Sequence, residues 1–487
     1  MASRLSRLAR RTLLAAAYSA AGALVVLVIV FIAYLEGRPD LKFWHLADLD
    51  EEFTIASGVG TFADYLALEE GLFAQLDEQV YAKIPADERR SINRYNRGSQ
   101  SDPTSRLPNW NRSFELPAES PEAGVLLLHG MSDSPYSLRS LGQRINAAGA
   151  TVLGLRIPGH GTAPSGLVEV TWQDMAAAVR LAMDHLAEQV RGRPIYIVGY
   201  SNGAALAVNY ALDTLRDETL PKVGGLILLS PAIGVTPVAA LAVWQARLGH
   251  LLGLEKLAWS SILPEYDPYK YGSFAVNAGD LVFRLTNEIQ ERLDELEASG
   301  KLEEFPSLLA FSSVVDATVA APALVKGLFQ RLPVGDRELV LFDINRMAEM
   351  TPILKFDPSG IIDALREESD RAFTLSLVTN ENDKSRAVVA RTRRPGQGTE
   401  TQSDLGLSWP EDVYSLSHVA LPFPPQDPVY GGHPQGKTTG IRLGDVALRG
   451  ERGVLQISAS ELLRLRWNPF YPYVEARVLA FLGLRAK

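Results

Sequence analysis

One serine in the chain lies in a pattern that can turn its hydroxyl into a nucleophile. Gly199-Tyr200-Ser201-Asn202-Gly203 matches G-x-S-x-G, follows the apolar run Ile195–Val198 and precedes a helical pattern that begins at Ala204. Glycines on both sides allow the sharp, strained turn that presents a serine hydroxyl at the end of a strand. A helix N-terminus behind the serine favours developing negative charge. A glycine-rich turn of a nucleotide-binding fold is the alternative interpretation of this short pattern.

A second motif supplies the donors that acyl transfer needs. Two N–H groups must point at the oxyanion. The residue after the nucleophile provides one, here Asn202, and the loop after an earlier strand provides the other, here Met131 in His129-Gly130-Met131. His129 is interpreted as a residue that fixes this loop by hydrogen bonds. His160, in Pro158-Gly159-His160-Gly161, is interpreted as a loop-packing histidine, so neither is expected to act as the base.

The carboxylate that orients the base is expected to follow the nucleophile along the chain. Asp316 is a lone acid among apolar residues directly after the apolar run Ser307–Ser312. A buried carboxylate needs a partner, and an imidazole N–H is a suitable one. Asp316 is therefore predicted as the acid. Asp343, after the next predicted strand, is the reserve candidate, and a turn or N-cap aspartate is the non-catalytic interpretation of Asp316.

The base must be a histidine, and of the seven in the chain only two follow Asp316. His418 is flanked by apolar and small residues, which suits a buried, positioned base. His433 lies in Gly431-Gly432-His433-Pro434, which is typical of a turn. His418 is therefore predicted as the base, and a core histidine with satisfied hydrogen bonds is the alternative.

The elements that carry these residues alternate between short apolar runs and helical patterns. This alternation predicts an α/β fold with a mostly parallel sheet covered by helices on both faces and chemistry at the carboxyl ends of the strands. The predicted strands are Gly124–Leu128, Thr151–Leu155, Ile195–Val198, Gly225–Leu229, Ser307–Ser312 and Leu339–Phe342, and the helices between the first four are Ser137–Ala148, Trp172–Val190 and Ala204–Leu215.

Two insertions interrupt the alternation. Residues 232–305 contain the helical patterns Val238–Leu252 and Leu281–Gly300 and are predicted to form a helical cap whose tryptophans, Trp244 and Trp259, help to shape an apolar acyl pocket. A packed helical insert is the alternative. The second insertion, residues 346–412, contains a strand-like run, 372–378, and a polar segment, 391–403, interpreted as a mobile hairpin tip or loop.

The N-terminus carries a candidate membrane anchor. Four arginines, at positions 4, 7, 10 and 11, precede an uncharged run from Thr12 to Tyr34. About 20 apolar residues span a bilayer core. The run ends in a poor cleavage site, so an uncleaved anchor is favoured over a cleaved signal peptide. The arginines predict a cytoplasmic N-terminus, with the rest of the chain on the periplasmic or extracellular side.

The chain is accordingly divided into a basic tail with a transmembrane anchor (1–35), an N-terminal extension (36–120) and a catalytic domain (121–487). The extension contains an amphipathic helical pattern from Phe62 to Ile84. The formal net charge of −9 argues against a broad surface for nucleic acid. The absence of cysteine excludes disulfides, a cysteine nucleophile and thiolate metal sites. No cofactor is implied, and the sequence does not determine the oligomeric state.

Together the motifs resemble the α/β-hydrolase superfamily, and more narrowly its monoacylglycerol lipase, carboxylesterase and serine aminopeptidase-like branch. The resemblance implies a serine hydrolase in which Ser201 attacks an acyl carbonyl, His418 shuttles the proton and Asp316 orients His418. Apart from the resemblance, the nearby membrane favours an amphiphilic acyl ester or a lipid as the substrate. The motifs that carry the resemblance are His129–Pro135, Arg156–Gly161, Gly199–Gly203, Val315-Asp316 and Ser417-His418-Val419.

Other functions stay open at this point. An amide or peptide hydrolase of the serine aminopeptidase type would need a carboxylate for a free amine, and Glu265 and Asp267 are the candidates. Acyl transfer to an alcohol other than water is a further possibility, and a non-catalytic binding protein could use the same fold. The spacing of about one hundred residues between Asp316 and His418 exceeds the usual pattern of the superfamily. The second insertion is therefore expected to loop out and return the chain to the sheet.

Overall fold

A ten-stranded mixed sheet organises the computed structural model, which describes residues 2–485 except 86–88, 90–91, 235–253, 348–353, 356, 369–370, 435–439, 445 and 447–453. The strands are β1 (Phe114–Leu116), β2 (Gly124–Leu128), β3 (Thr151–Leu155), β4 (Ile195–Tyr200), β5 (Gly225–Leu229), β6 (Trp259–Ser261), β7 (Phe274–Ala275), β8 (Ser307–Ser313), β9 (Arg337–Phe342), β10 (Thr374–Asn380), β11 (Ala387–Arg393) and β12 (Thr401–Ser408). The sheet order is β1-β3-β2-β4-β5-β8-β9-β10-β11-β12, and β6 and β7 form a separate hairpin.

The centre of the sheet is a parallel block that runs from β3 to β10. Leu128 at the end of β2 lies opposite Leu155 of β3 and Gly199 of β4, so the carboxyl ends of these strands meet at one edge. Within the described part of this sheet, antiparallel pairing joins β1 to β3, β10 to β11 and β11 to β12. All six strands predicted from apolar runs belong to the parallel block, which confirms the predicted fold class.

Helices cover both faces of this block. Leu126 and Leu128 of β2 belong to a core shared with the helices after β3, β4 and β7. Val125 and Leu127 pack on the other face with the helix after β2 and with the last helix. This double burial explains why the strands are continuous apolar runs. The helices are α1 (Ala2–Glu36), α2 (Phe43–Leu46), α3 (Phe62–Gln79), α4 (Tyr136–Ala147), α5 (Gly166–Glu169), α6 (Trp172–Val190), α7 (Asn202–Thr214), α8 (Val276–Ala298), α9 (Ala321–Leu324), α10 (Ser359–Glu367), α11 (Ala459–Leu462) and α12 (Tyr471–Phe481).

The first insertion contributes the β6–β7 hairpin and α8. The predicted helix Val238–Leu252, with Trp244, lies outside the described residues. The pattern at Leu281–Gly300 corresponds to α8. Residues Gly279 and Val282 at its start line a cavity at the sheet edge, and later residues such as Ile289 belong to the core beside α7. The described part of the insertion is therefore a cavity wall and a core helix at once.

The second insertion extends the sheet. Its first strand, β10, pairs in parallel with β9, and β11 and β12 follow as an antiparallel hairpin. Strand structure continues to Arg393 and resumes at Thr401, so six of the thirteen residues of the polar segment 391–403 lie in strands, and residues 394–400 form the tip of the hairpin. After β12 the N–H of Trp409 donates to the carbonyl oxygen of Arg386, and the carbonyl oxygen of Tyr414 accepts from the N–H of Asn345, which follows β9. Through these residues the chain returns towards His418.

The N-terminal helix α1 is long and apolar enough to cross a membrane. The candidate span, Arg10–Glu36, has 27 residues and none of it is buried inside the protein. Length and composition are the basis of this assignment. Beyond it, α3 begins at Phe62 with Thr61 as its N-cap and ends at Gln79, and a short 3-10 turn, Tyr81–Lys83, follows. The helical pattern from Phe62 is thus confirmed, although it ends earlier than predicted.

Candidate active site

Ser201 lies on a strained turn between β4 and α7. Its backbone has φ 53° and ψ −114°, a region that non-glycine residues rarely occupy. Neighbouring glycines make the turn possible. A Cβ on Gly203 would lie 2.1 Å from the carbonyl oxygen of Leu128, and one on Gly199 would lie 2.4 Å from the Cα of Ala204. The G-x-S-x-G spacing therefore follows from close backbone contact on both sides of the serine.

His418 and Asp316 meet although they are 102 residues apart. His418 Nδ1 donates to Asp316 Oδ2 at 2.8 Å, and both side chains are buried. Asp316 Oδ1 accepts from the N–H groups of Thr318 and Val319 at 2.8 and 2.9 Å. Burial by itself would raise the pKa of Asp316, but the hydrogen bonds from His418 and from these two amides lower that pKa below its usual value. The carboxylate is thus held ionised beside the imidazole.

Ser201 and His418 line the same cavity, which has a volume of about 480 Å³. The ring of Tyr200, the residue before the serine, lies 5.4 Å from the His418 ring between centroids. Asp316 follows the end of β8 and lies behind His418. The structure therefore brings the three predicted side chains to one edge of the sheet, where parallel α/β proteins place their ligands.

The two predicted oxyanion donors are also at this edge. Met131 lines the cavity, and Asn202 is the first residue of α7, directly after Ser201. Within the described part of the chain, neither backbone N–H donates to a protein acceptor. The residue after Met131, Ser132, has a positive φ of 63°, so this loop is strained like the serine turn. Both amides are available to a ligand atom.

Two buried histidines hold the loops around the Met131 amide. His129 Nδ1 donates to the carbonyl oxygen of Gly130 at 2.9 Å, and its Nε2 accepts from the N–H of Ile157 at 3.1 Å. Burial lowers the pKa of His129 well below its usual value, and it lowers the pKa of His160 to about 4. Both rings are therefore neutral at pH 7. These contacts are those of residues that fix loops.

The reserve candidates lie elsewhere. Asp343 is bound by Arg346 at 2.8 Å and accepts from the hydroxyl of Thr379 at 2.7 Å. The ring of His433 packs beside Trp467. Neither Asp343 nor His433 lines the cavity that contains Ser201.

The two carboxylates proposed for amine recognition also differ. Glu265 is buried and accepts from the N–H groups of Gly272 and Ser273 at 2.9 and 2.8 Å, so its oxygens serve the cap backbone. Asp267 does line the cavity, and its Oδ1 accepts from the hydroxyl of Tyr430 at 2.5 Å. Its Oδ2 has no hydrogen-bond partner within the described residues, and the Arg466 guanidinium lies 3.8 Å away.

The sequence interpretation missed the polar wall of the cavity. Lys270 forms an ion pair with Asp133 at 3.2 Å, and Arg466 lies beside Asp267. Asp133 belongs to the loop motif at His129–Pro135, which was a usable signal. Arg464 and Arg466 come from the C-terminal segment, where no motif marks them. Their contribution depends entirely on the return of the chain to this edge.

Comparisons with known proteins concern the region that contains most of the parallel sheet. Residues 119–344 match the Hydrolase_4 family, described as serine aminopeptidase, S33. This region belongs to the α/β-hydrolase superfamily. A thermostable monoacylglycerol lipase of Bacillus sp. (strain H-257) is 32% identical to this α/β-hydrolase over 123 residues, which are 25% of this chain and 46% of that protein. The chain thus spans about half the length of the curated relative that it matches.

Solved structures are similar over about half of the chain. One similar structure comes from work on LipS and LipT, two lipolytic enzymes of metagenomic origin. It is 19% identical, with a TM-score of 0.37 over 54% of this chain and 99% of that chain. A monoacylglycerol lipase of Paleococcus ferrophilus is 20% identical, with a TM-score of 0.36 over 47% of this chain and 88% of that chain. The match leaves the N-terminal extension and His418 outside the residues that define the family.

Proposed function

We propose that this chain is a serine hydrolase that cleaves carboxylic esters of amphiphilic or lipid-like character through an acyl-Ser201 intermediate. The observation that carries the proposal is the buried hydrogen bond between His418 and Asp316 beside the cavity that Ser201 lines. A non-catalytic binding protein would not need an ionised carboxylate, an imidazole bonded to it and a strained serine at one edge. That combination is what activates an alcohol at neutral pH.

In the proposed first half-reaction, the Ser201 oxygen attacks the acyl carbonyl while its proton passes to His418 Nε2. The π electrons of the carbonyl move to its oxygen, and this oxyanion accepts hydrogen bonds from the N–H groups of Met131 and Asn202. Asp316 holds the Nδ1–H and balances the imidazolium charge. Collapse of the tetrahedral intermediate breaks the ester C–O bond, and the alcohol leaves with the proton from His418.

Water completes the cycle. His418 takes a proton from water as the water oxygen attacks the acyl-Ser201 carbonyl, and the same two N–H groups receive the second oxyanion. Collapse releases the carboxylic acid, and His418 returns its proton to the Ser201 oxygen. The two half-reactions therefore use the same three side chains, and no cofactor enters either of them.

The cavity lining supports an amphiphilic substrate. The lining includes apolar residues, among them Leu263, Phe274, Val282 and Val319, as well as charged residues and tyrosines. Apolar residues suit an acyl chain, and the polar residues suit a polar alcohol. The similarity to a monoacylglycerol lipase points to the same class of ester.

An amide or peptide hydrolase is the second candidate, because the matching family carries the name serine aminopeptidase and Asp267 lines the cavity. A substrate ammonium would have to approach Asp267 beside the Arg466 guanidinium, 3.8 Å away. An ammonium bound to Asp267 would therefore lie close to the guanidinium, and two positive charges close together in a buried site repel each other. Ester hydrolysis is therefore the function that we propose first.

We also propose that α1 anchors the enzyme in a membrane, with the arginines in the cytoplasm and the catalytic domain on the periplasmic or extracellular side. In this arrangement residues 36–120 form an extension between the anchor and the catalytic domain, which runs from 121 to 487 with insertions at 232–305 and 346–412. When the outer envelope of the cells is permeabilised and the cytoplasmic membrane is left closed, an added protease should digest the catalytic domain but leave the N-terminal tail.

A fluorophosphonate probe tests the nucleophile. The wild-type protein should be labelled covalently, and Ser201→Ala should not be. Equal labelling of both proteins would refute Ser201 as the nucleophile, and absence of labelling in both would favour a binding protein. Turnover of p-nitrophenyl esters of increasing chain length then measures the acyl preference, and turnover of aminoacyl anilides without turnover of esters would favour the peptidase.

A pair of histidine variants tests the base. His418→Ala should lower kcat by about 10⁴-fold or more, because proton transfer to and from the serine is lost. His433→Ala is the matched control, since its ring lies against Trp467 outside the cavity, and should change kcat little. The reverse result would exchange the two assignments.

A further inference from the structure

The segment that leaves the anchor helix is bonded to the wall of the cavity. The guanidinium of Arg38 donates to the carbonyl oxygens of Lys256 and Trp259, both at 2.6 Å. In return, the Lys256 ammonium donates to the carbonyl oxygen of Arg38 at 3.1 Å and to Asp40 at 2.9 Å. Trp259 begins β6, and two residues later Ser261 lines the cavity. The end of the anchor and the catalytic cavity are thus parts of one bonded unit.

The short helix α2 makes a second connection. Its buried residue His45 donates through Nε2 to the hydroxyl oxygen of Ser273 at 2.9 Å, because its Nδ1 accepts from the N–H of Lys42. The hydroxyl of Ser273 donates to the carbonyl oxygen of Leu263 at 3.0 Å, and Leu263 lines the cavity. One face of α2 is therefore attached to the cavity wall through Ser273, and the ring of His45 also packs against Trp259 at 4.8 Å between centroids.

The opposite face of α2 is apolar and exposed. Phe43 is 43% exposed and Leu46 is 51% exposed, whereas Trp44 and His45 between them are buried. Residues three apart lie on the same side of a helix, so Phe43 and Leu46 form one small surface, which we call the α2 face. Six residues separate Phe43 from the end of the candidate span at Glu36.

These distances constrain where the α2 face can lie. The seven Cα–Cα steps from Glu36 to Phe43 span at most about 25 Å in an extended chain. The hydrogen bonds of Arg38 to Lys256 and Trp259 shorten that reach. The headgroup region begins directly where the anchor leaves the hydrocarbon core. Aromatic and aliphatic side chains next to a membrane span are stabilised at this boundary, since burial removes their apolar surface from water.

We propose that Phe43 and Leu46 insert into the membrane surface beside the anchor and hold the catalytic cavity there, so that the ester substrate is taken from the bilayer rather than from solution. The proposal rests on the proposed function, because it assumes both the anchor and ester hydrolysis. It adds the source of the substrate and the surface that selects it. The occupant of the α2 face is the lipid bilayer itself.

Site-specific dye labelling tests the contact directly. The chain has no cysteine, so Phe43→Cys gives a single labelling site in the full-length protein. The matched control is Val334→Cys. Val334 is 71% exposed and precedes β9, at the edge of the sheet opposite the cavity. Both proteins are labelled with an environment-sensitive NBD dye and reconstituted into phosphatidylcholine and phosphatidylglycerol vesicles.

We expect the dye at position 43 to emit at shorter wavelength and to be quenched at least twofold by spin-labelled lipids, and the dye at position 334 to show neither effect. The same emission and quenching at both positions would overturn the proposal. This measurement is independent of catalysis. It therefore decides the membrane contact even if the protein hydrolyses no ester.

An activity comparison tests the source of the substrate. The double variant Phe43→Gln with Leu46→Gln is compared with Val334→Gln, using p-nitrophenyl butyrate in solution and a fluorogenic long-chain ester embedded in the vesicles. The double variant should keep its rate on the soluble ester and lose at least fivefold on the embedded one. The control should keep both rates. An unchanged rate on the embedded ester, or equal losses on both esters, would contradict delivery from the bilayer.

Failure of the proposed function has a different signature. A wild-type protein that hydrolyses neither ester, or a Ser201→Ala variant that hydrolyses both, would refute the serine mechanism and leave the dye result unaffected. Wild-type hydrolysis of both esters, combined with wild-type behaviour of the double variant, would keep the serine hydrolase and remove the role of the α2 face.

Discussion

The N-terminal extension and the second insertion lie almost entirely outside the 119–344 region that matches the family, and they are attached to the sheet in different ways. The extension adds the three-residue strand β1 to the sheet and is also held by buried charged side chains. Glu52 and Glu69 both reach Arg156, which is 1% exposed, at 2.9 and 3.0 Å. The insertion is joined by main chain, because residues 374–378 of β10 pair in register with residues 338–342 of β9.

The extension is bonded to the loops that support the candidate oxyanion site. Glu52 accepts from the N–H of Gly159 at 2.9 Å, and Arg156 donates to the carbonyl oxygen of His160 at 3.1 Å. Ile157, the residue after Arg156, donates its N–H to His129 Nε2, and His129 Nδ1 in turn donates to the carbonyl oxygen of Gly130. A continuous set of hydrogen bonds therefore leads from the extension to the residue before Met131.

The insertion contains an ion pair that is more exposed than those of Arg156. Arg366 pairs with Glu400 at 2.7 Å, with 36% and 24% of the two side chains accessible to water. Ion pairs of this kind contribute little, whereas breaking a buried pair leaves an uncompensated charge. The comparison therefore predicts that removal of the Arg156 charge damages the protein and that removal of the Arg366 charge hardly does.

The largest expected effect is that of Arg156→Met. The buried carboxylate of Glu69 and the partly buried carboxylate of Glu52 lose their partner, so the free energy of unfolding should fall by about 3–5 kcal/mol. Arg366→Met in the insertion is the matched control and should lower it by less than about 1 kcal/mol. Denaturant unfolding of the full-length proteins in the same detergent measures both. Equal losses would show that the two segments are not joined differently.

Acid should weaken the extension. Burial lowers the pKa of His45 from 6.5 to about 4. Between these values the unfolded chain binds a proton that the folded chain does not, so the stability from neutral His45 is full above pH 6.5 and is lost as pH falls towards 4. The loss can reach about 3 kcal/mol. The insertion contains no histidine and has no counterpart of this effect.

The variant His45→Gln should therefore show a smaller fall in the free energy of unfolding between pH 7 and pH 4.5 than the wild type. The variant His433→Gln, outside the extension, serves as control and should keep the wild-type slope. Thermal unfolding at a series of pH values provides the measurement. A wild-type slope in His45→Gln would remove His45 as the acid-sensitive group.

A smaller effect is expected for Glu52→Gln. The amide can still accept from Gly159 but no longer balances the charge of Arg156, so the free energy of unfolding should fall by about 1–3 kcal/mol. If Glu52 positions the Met131 loop, kcat should also fall by roughly tenfold with little change in KM, as removal of an interaction made only in the transition state predicts. A lower stability with an unchanged kcat would make Glu52 purely structural.

The smallest effect is expected for Glu400→Gln in the insertion. Its partner Arg366 is partly exposed, so the free energy of unfolding should change by less than about 1 kcal/mol, and the difference should shrink in 1 M salt because exposed charges are screened. The kcat for a soluble ester should equal that of the wild type. A tenfold loss of kcat here would contradict the contrast with Glu52.

The parallel block of the sheet could be predicted because strands buried on both faces are continuous apolar runs. The boundary at β9 was two residues late for a physical reason. Arg337 and Glu338 lie within the strand, where Glu338 pairs with Arg477 at 2.6 Å, and charged residues hide a strand in the sequence. β12 escaped prediction for the same reason, since this edge strand is polar and largely exposed.

The sequence by itself determined the serine turn, because the close contacts around Gly199 and Gly203 are made with residues of the turn and of the neighbouring strand end. Such contacts leave room for glycine and no larger residue, so they leave a readable pattern in the sequence even where the contacting residue, Leu128, is distant in the chain. Only the tertiary structure decided which carboxylate meets which partner. The contact between Asp316 and His418 spans 102 residues, and Arg156 takes Glu52 and Glu69 from a segment that shares no motif with it. A buried charge requires a partner of opposite sign or a hydrogen bond, but it does not encode where in the chain that partner lies.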